Sequence, residues 1–132
     1  MTKSMSPSHN GTQYRSLVWH ESKSFEGVRY AIRRLSLLQR MDLTRQLREL
    51  MLRYEFLKAG DASDELQATL AELEVQKLYV QWAVAEIAGL TIDGEAATTP
   101  ILIEKGPENL INEMVGAIRH QLELSEEERK NS

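Results

Sequence analysis

The side chains best suited to chemistry are few and scattered. His9, His20 and His120 are the histidines, and there is no cysteine. None of the three has a second nitrogen ligand at the i±3 or i±4 spacing that builds a metal pair on a helix; His120 has only Glu123 three residues on. Without thiols there is no disulfide framework, thiolate zinc site, iron–sulfur cluster or cysteine nucleophile. The chain has no G-x-S-x-G elbow and no Gly-rich phosphate loop; Gly89, Gly94 and Gly106 read as stops and turns. Glu126, Glu127 and Glu128 cluster near the C-terminus, on a stretch that reads as a frayed helix and suits no preorganised site. The expectation is a protein that is not an enzyme, with no metal and no cofactor.

The remaining chemistry is charge. The net charge of −4 conceals +1 over residues 1–28, +5 over 29–58 and −10 over 59–132. A basic segment followed by an acidic one fits a nucleic-acid surface or two parts of one fold that attract each other, and the second reading is favoured. Asp42–Arg45 and Glu49–Arg53 have helix-pair spacing, which leaves Arg29, Arg33, Arg34, Arg40 and Arg48 without local partners. Tyr30 and Tyr54 fall in apolar stripes and read as core, not as stacking platforms for bases.

These residues need elements to hold them. Residues 1–13 are polar, and are expected to form a flexible arm ahead of a single domain over 14–132. Leu17-Val18-Trp19 and the alternation Val28, Tyr30, Ile32 predict a two-stranded hairpin that a helix must cover. Leu43, Leu47, Leu50, Tyr54 and Leu57 step at helical spacing and predict a helix over 36–58 closed by Gly60. Asp61 and Ser63 offer caps for a second helix over 64–88, ended by Gly89.

That second helix carries two stripes. Leu66, Leu70, Leu73, Lys77, Val80, Val84 and Ile87 form the first, taken as the seam of a helical hairpin; Val75, Leu78 and Trp82 form the second. Lys77 interrupts the first either by snorkelling to water or as a register device facing a partner carboxylate. Leu90–Thr99 reads as a loop turning at Asp93-Gly94, Thr99-Pro100 opens a short helix to Lys105, and a third long helix covers 107–124. The fold class is mainly α: a helical hairpin plus a C-terminal helix, with a small N-terminal β-hairpin. No apolar run is long enough to cross a membrane and no signal peptide is visible, so a soluble, intracellular protein is expected.

Several stretches together carry a family resemblance: Gly27-Val28-Arg29-Tyr30-Ala31-Ile32-Arg33-Arg34, Arg40-Met41-Asp42-Leu43-Thr44, Glu55-Phe56-Leu57-Lys58-Ala59-Gly60, Trp82-Ala83-Val84, Gly89-Leu90-Thr91-Ile92-Asp93-Gly94, Gly106-Pro107-Glu108-Asn109-Leu110, and the end from Leu124-Ser125-Glu126 to Lys130-Asn131. Over Gly27 to Asn131 the chain resembles the tail assembly chaperones of tailed bacteriophages and prophages. The resemblance implies a helical factor of the bacterial host cytoplasm that keeps the long helix of the tape measure protein soluble and recruits tail tube subunits. It implies no catalytic residues. The family often has a second, frameshifted longer form, and Lys130-Asn131 can be encoded by a slippery run.

Two alternatives stand beside this reading. One is a nucleic-acid-binding protein using the basic 29–58 segment; the other is a structural head or tail component. For the chaperone the expected contacts are Leu78, Tyr79 and Trp82 for apolar packing, and Arg29, Arg33, Arg40 and Arg48 for charge. The Val75–Trp82 face, beyond what one partner helix covers, also suggests a homo-oligomer.

Overall fold

The computed structural model describes residues 11–57 and 62–130. Two strands, β1 (Leu17–Glu21) and β2 (Arg29–Arg33), lead into two long helices, α1 (Leu37–Leu57) and α2 (Ala62–Ala83). Strand β3 (Val84–Ala88) follows, then a small ribbon of β4 (Thr91–Ile92) and β5 (Glu95–Ala96). The short helix α3 (Thr99–Lys105) and the long helix α4 (Glu108–Lys130) complete the described chain. The fold is mainly helical with an N-terminal β-hairpin, as the patterning predicts. Among the described residues no helix is long and apolar enough to cross a membrane. The expected arm at 1–13 lies outside the described residues up to residue 10, as do the expected stop Gly60 and cap Asp61.

The hairpin has a third strand. The expected helix over 64–88 stops at Ala83, and Val84–Ala88 pairs antiparallel with β2, giving the order β1-β2-β3. A two-stranded ribbon is marginal in water, and the β-branched Val84 and Ile87 suit a strand that completes it. Gly89 is therefore not a helix stop but the turn residue after β3, at φ +82. Asp93 (φ 51) and Gly94 (φ 83) both take left-handed backbone, and their two-residue turn joins β4 to β5 where a loop was expected.

Helix ends follow local chemistry. At α1 the Ser36 hydroxyl accepts from the Gln39 N–H at 3.2 Å while Gln39 Oε1 accepts from the Ser36 N–H at 3.0 Å, a reciprocal capping box. At α3 the cap is Thr98, one residue before the expected Thr99; its hydroxyl accepts from the Ile101 N–H. Thr98→Ala is expected to cost about 1 kcal/mol, read as a lowered midpoint in chemical denaturation. The C-terminal stretch continues α4 to Lys130 instead of forming a separate helix.

The core lies between the sheet, the C-terminal half of α2, α3 and α4. Tyr30, Ile32, Val80, Leu102, Leu110, Met114 and Ile118 form its centre. α1 packs on α2 through its Leu43 side, and Arg53 bridges to Glu74 of α2 at 2.9 Å instead of to Glu49 on its own helix. Asp42–Arg45 forms as its spacing suggests, at 2.8 Å.

Candidate partner-binding surface

The structure divides the expected contact residues among three elements. Arg29 and Arg33 lie on one face of β2; Arg29 is exposed, with its guanidinium 4.7 Å from the Trp19 ring centroid. Arg33 is half-buried, and its carbonyl accepts from Gln121 Nε2 of α4 at 2.9 Å. Arg40 and Arg48 lie on α1, the first half-buried and the second exposed. Leu78 is only 8% exposed, so its side chain belongs to the protein's own interior. Tyr79 and Trp82 are half-buried, and Tyr79 lies under the Arg119 guanidinium at 5.5 Å.

The two stripes of α2 exchange the places assigned to them. At about 100° per residue, Ala71, Val75, Leu78 and Trp82 share one side of the helix. Ala71 and Leu78 are buried and Val75 and Trp82 half-buried, and this side serves the packing with α1. Leu66, Leu70 and Leu73, expected in the hairpin seam, are 45–74% exposed.

α1 has an outer stripe as well. Leu37, Leu38, Met41, Met51 and Leu52 are 52–76% exposed and share an arc of the helix turned away from Leu43, Leu47 and Leu50. Arg48 falls within this arc between Met41 and Met51. Sequence reasoning missed both open stripes because it counted apolar positions without knowing which half of each helix projects beyond the core. The signal was present in the number of leucines and methionines, which exceeds what one seam uses.

The best-formed polar constellation surrounds Glu113 of α4. One carboxylate oxygen accepts from the Ser22 hydroxyl at 3.0 Å and the Ser24 N–H at 3.1 Å. The other accepts from the Lys23 N–H at 3.1 Å and the Tyr30 hydroxyl at 3.0 Å. Four donors fill the lone-pair sites of a carboxylate. Partial burial opposes its ionisation, but the hydrogen bonds from the Ser22–Ser24 loop and Tyr30 outweigh this and hold the carboxyl below its ordinary range. Burial, and then Glu113 itself, push the Tyr30 phenol far up, so it remains a donor. His20 stacks on Tyr30 with centroids 5.5 Å apart, and its buried Nε2 has no hydrogen-bond partner among the described residues. Desolvation lowers its pKa, with a smaller opposing pull from Glu113. With all its acceptor sites occupied, Glu113 clamps the β1–β2 loop to α4.

An open groove of about 960 Å³ lies between the outer edge of β3 and α3, with Arg33, Lys77, Gln81, Glu86 and Glu104 among its lining residues. The Thr99 hydroxyl donates to the Val84 carbonyl at 3.0 Å and covers part of that strand edge. Among the described residues no group of three His, Asp or Glu side chains could hold a metal ion. Set against known proteins, the chain matches no family model, no curated protein and no solved structure.

Proposed function

We propose that the protein is a non-catalytic assembly chaperone that holds an amphipathic helix of its client against the outer face of α1. The observation that carries the reading is the row Leu37, Leu38, Met41, Met51 and Leu52, exposed on a helix whose opposite side already packs on α2. Large side chains left in water at this density mark an interaction surface. Leu37 and Leu38 stand four and three residues before Met41, and Met51 and Leu52 return to the same arc ten and eleven residues after it, which suits a helix partner; methionines adapt to varied apolar shapes. Arg48 inside the row and Arg40 beside it would meet acidic positions of the client.

The resemblance to tail assembly chaperones supplies the client: the tape measure protein of a tailed phage, whose long apolar helix needs cover until tail tube subunits assemble around it. Co-expression with the tape measure protein from the same genome tests this. The expected result is a large gain in soluble tape measure, lost when Met41→Glu and Leu52→Glu are combined. Unchanged solubility with the unaltered protein would overturn the proposal.

A second reading rests on Trp19, 41% exposed, stacked under Arg29 on the outer sheet face, with Tyr14 6.0 Å beneath Arg34. Arginine beside exposed aromatic rings also suits single-stranded nucleic acid. It predicts binding at low salt that weakens steeply as salt rises. Glu21 opposite Arg29, and Glu86 opposite Ala31, reduce the positive charge of that face and favour the protein-binding reading.

A further inference from the structure

The chain has no cysteine, so its sulfur is all methionine: Met1, Met5, Met41, Met51 and Met114. The three methionines among the described residues fall into two classes. Met114 is enclosed in the core with no exposed surface. Met41 and Met51 stand on the outer arc of α1, 52% and 53% exposed. The other large apolar members of that arc, Leu37, Leu38 and Leu52, carry nothing that a mild oxidant attacks.

The neighbours of the two exposed sulfurs suit an oxidised form. Arg45 lies four residues after Met41, and Arg48 three before Met51, spacings that make side chains neighbours on a helix. Both arginines are exposed. Arg45 spends one nitrogen on Asp42, and a guanidinium has five N–H donors. A sulfoxide oxygen, which only accepts, thus finds water and a cationic donor beside it.

We infer that Met41 and Met51 are paired oxidation sites through which a hydroperoxide reversibly turns the outer face of α1 from apolar to polar. At each site the sulfur gives an electron pair to the terminal oxygen of the hydroperoxide and the O–O bond breaks. The leaving oxygen takes the proton that the transferred oxygen carried. Sulfur is oxidised by two electrons to the sulfoxide, and the hydroperoxide is reduced to an alcohol, or to water where it is hydrogen peroxide. Methionine sulfoxide reductases reverse the step with a dithiol, which ends as a disulfide while the oxygen leaves as water.

Placement decides the consequence. A sulfoxide at Met114 would disrupt packing, because a polar group would replace an apolar one in the core. On α1 the new oxygens face solvent, so helix and core persist while the arc loses apolar side chains at two positions. What this does to a client rests on the client-binding reading: each sulfoxide in that interface should weaken binding about tenfold. The change in the face itself does not depend on that reading.

Dilute hydrogen peroxide acting on the full chain, followed by peptide mass spectrometry, tests the sites. Met41 and Met51 are expected to oxidise at least about tenfold faster than Met114, with helical circular dichroism unchanged, and Met114 to catch up in urea. On a hydrophobic-interaction column, molecules oxidised at Met41 or Met51 should elute earlier than those oxidised only at Met1 or Met5. Reductases for both sulfur epimers, with dithiothreitol, should return the original elution. Met41→Leu with Met51→Leu should keep its late elution under peroxide. Four results would overturn the inference: Met114 oxidising as fast as the other two, loss of helix on oxidation, co-elution of the two oxidised classes, or no recovery with the reductases. Tape measure solubility is read separately. If the unaltered protein never raises it, the client reading fails while the mass and elution data still decide the oxidation sites. If it does, peroxide should reverse the gain for the unaltered protein and spare it for the leucine variant.

Discussion

Gly89→Ala is expected to destabilise the protein by about 3 kcal/mol and to lower its thermal midpoint by roughly 10 °C. Two costs combine at this position. The backbone sits at φ +82, where a side chain is strained by about 1 kcal/mol. A Cβ there would also collide with the Gly27 carbonyl, a backbone atom that no rotamer change can move away. Gly94 separates the two costs: it has the same φ, +83, but nothing near the place a Cβ would occupy. Gly94→Ala should therefore lose only about 1 kcal/mol in the same denaturation experiment. Equal losses at the two glycines would mean that the Gly27–Gly89 approach contributes nothing.

The close approach of Gly27 and Gly89 explains why part of the fold was illegible. It exists only because β3 lies beside β2, and the sequence hides β3 well. Val84 and Ile87 continue the four-three spacing of the α2 row, so a count of apolar positions runs past Ala83 without a break. Val80 and Val84 are both buried, although one is helical and the other extended. Periodicity alone cannot mark a helix that passes straight into a strand. Where local chemistry decides, the sequence was readable. Asp93-Gly94 turns the chain as expected, though the two-residue strands beside that turn are too short to announce themselves.

The candidate surface divides in the same way. The excess of apolar positions on α2 was visible as two stripes, but which one α1 takes depends on where the hairpin leaves the core. Leu78 and Leu70 look alike in sequence, and only tertiary placement buries the first and exposes the second. The arginines were readable as residues lacking local partners, yet their stacking on Trp19 and Tyr14 follows from strand pairing and chain path. Glu113 was the least legible. Its four partners lie between 83 and 91 residues away. The one local signal was its position three residues after Leu110 and four before Ala117, at the margin of the buried stripe of α4.

Glu113→Gln tests that clamp and gives the clearest pH dependence. An amide puts an NH2 group where one carboxylate oxygen stood, and each oxygen accepts from a backbone N–H, of Ser24 or of Lys23. Whichever way the amide faces, one backbone N–H loses its acceptor. The expected cost near neutral pH is about 2 kcal/mol, typical of hydrogen bonds to a charged group. Because the folded-state pKa of Glu113 is depressed, its contribution is complete above the ordinary value of 4.5 and disappears as pH falls through the folded value. The gap between the unaltered protein and Glu113→Gln should therefore close on acidification below about 4.5. His20 acts earlier and with the same sign. Burial lowers its pKa from 6.5, so the unfolded chain takes up a proton that the folded chain resists, and stability begins to fall below about pH 6.5. His20→Phe keeps a ring on Tyr30 and removes this upper step while leaving the lower one. Urea denaturation of the three proteins between pH 3 and 8 resolves both steps. A Glu113→Gln curve running parallel to that of the unaltered protein down to pH 3 would show that the carboxylate's charge does not hold the loop.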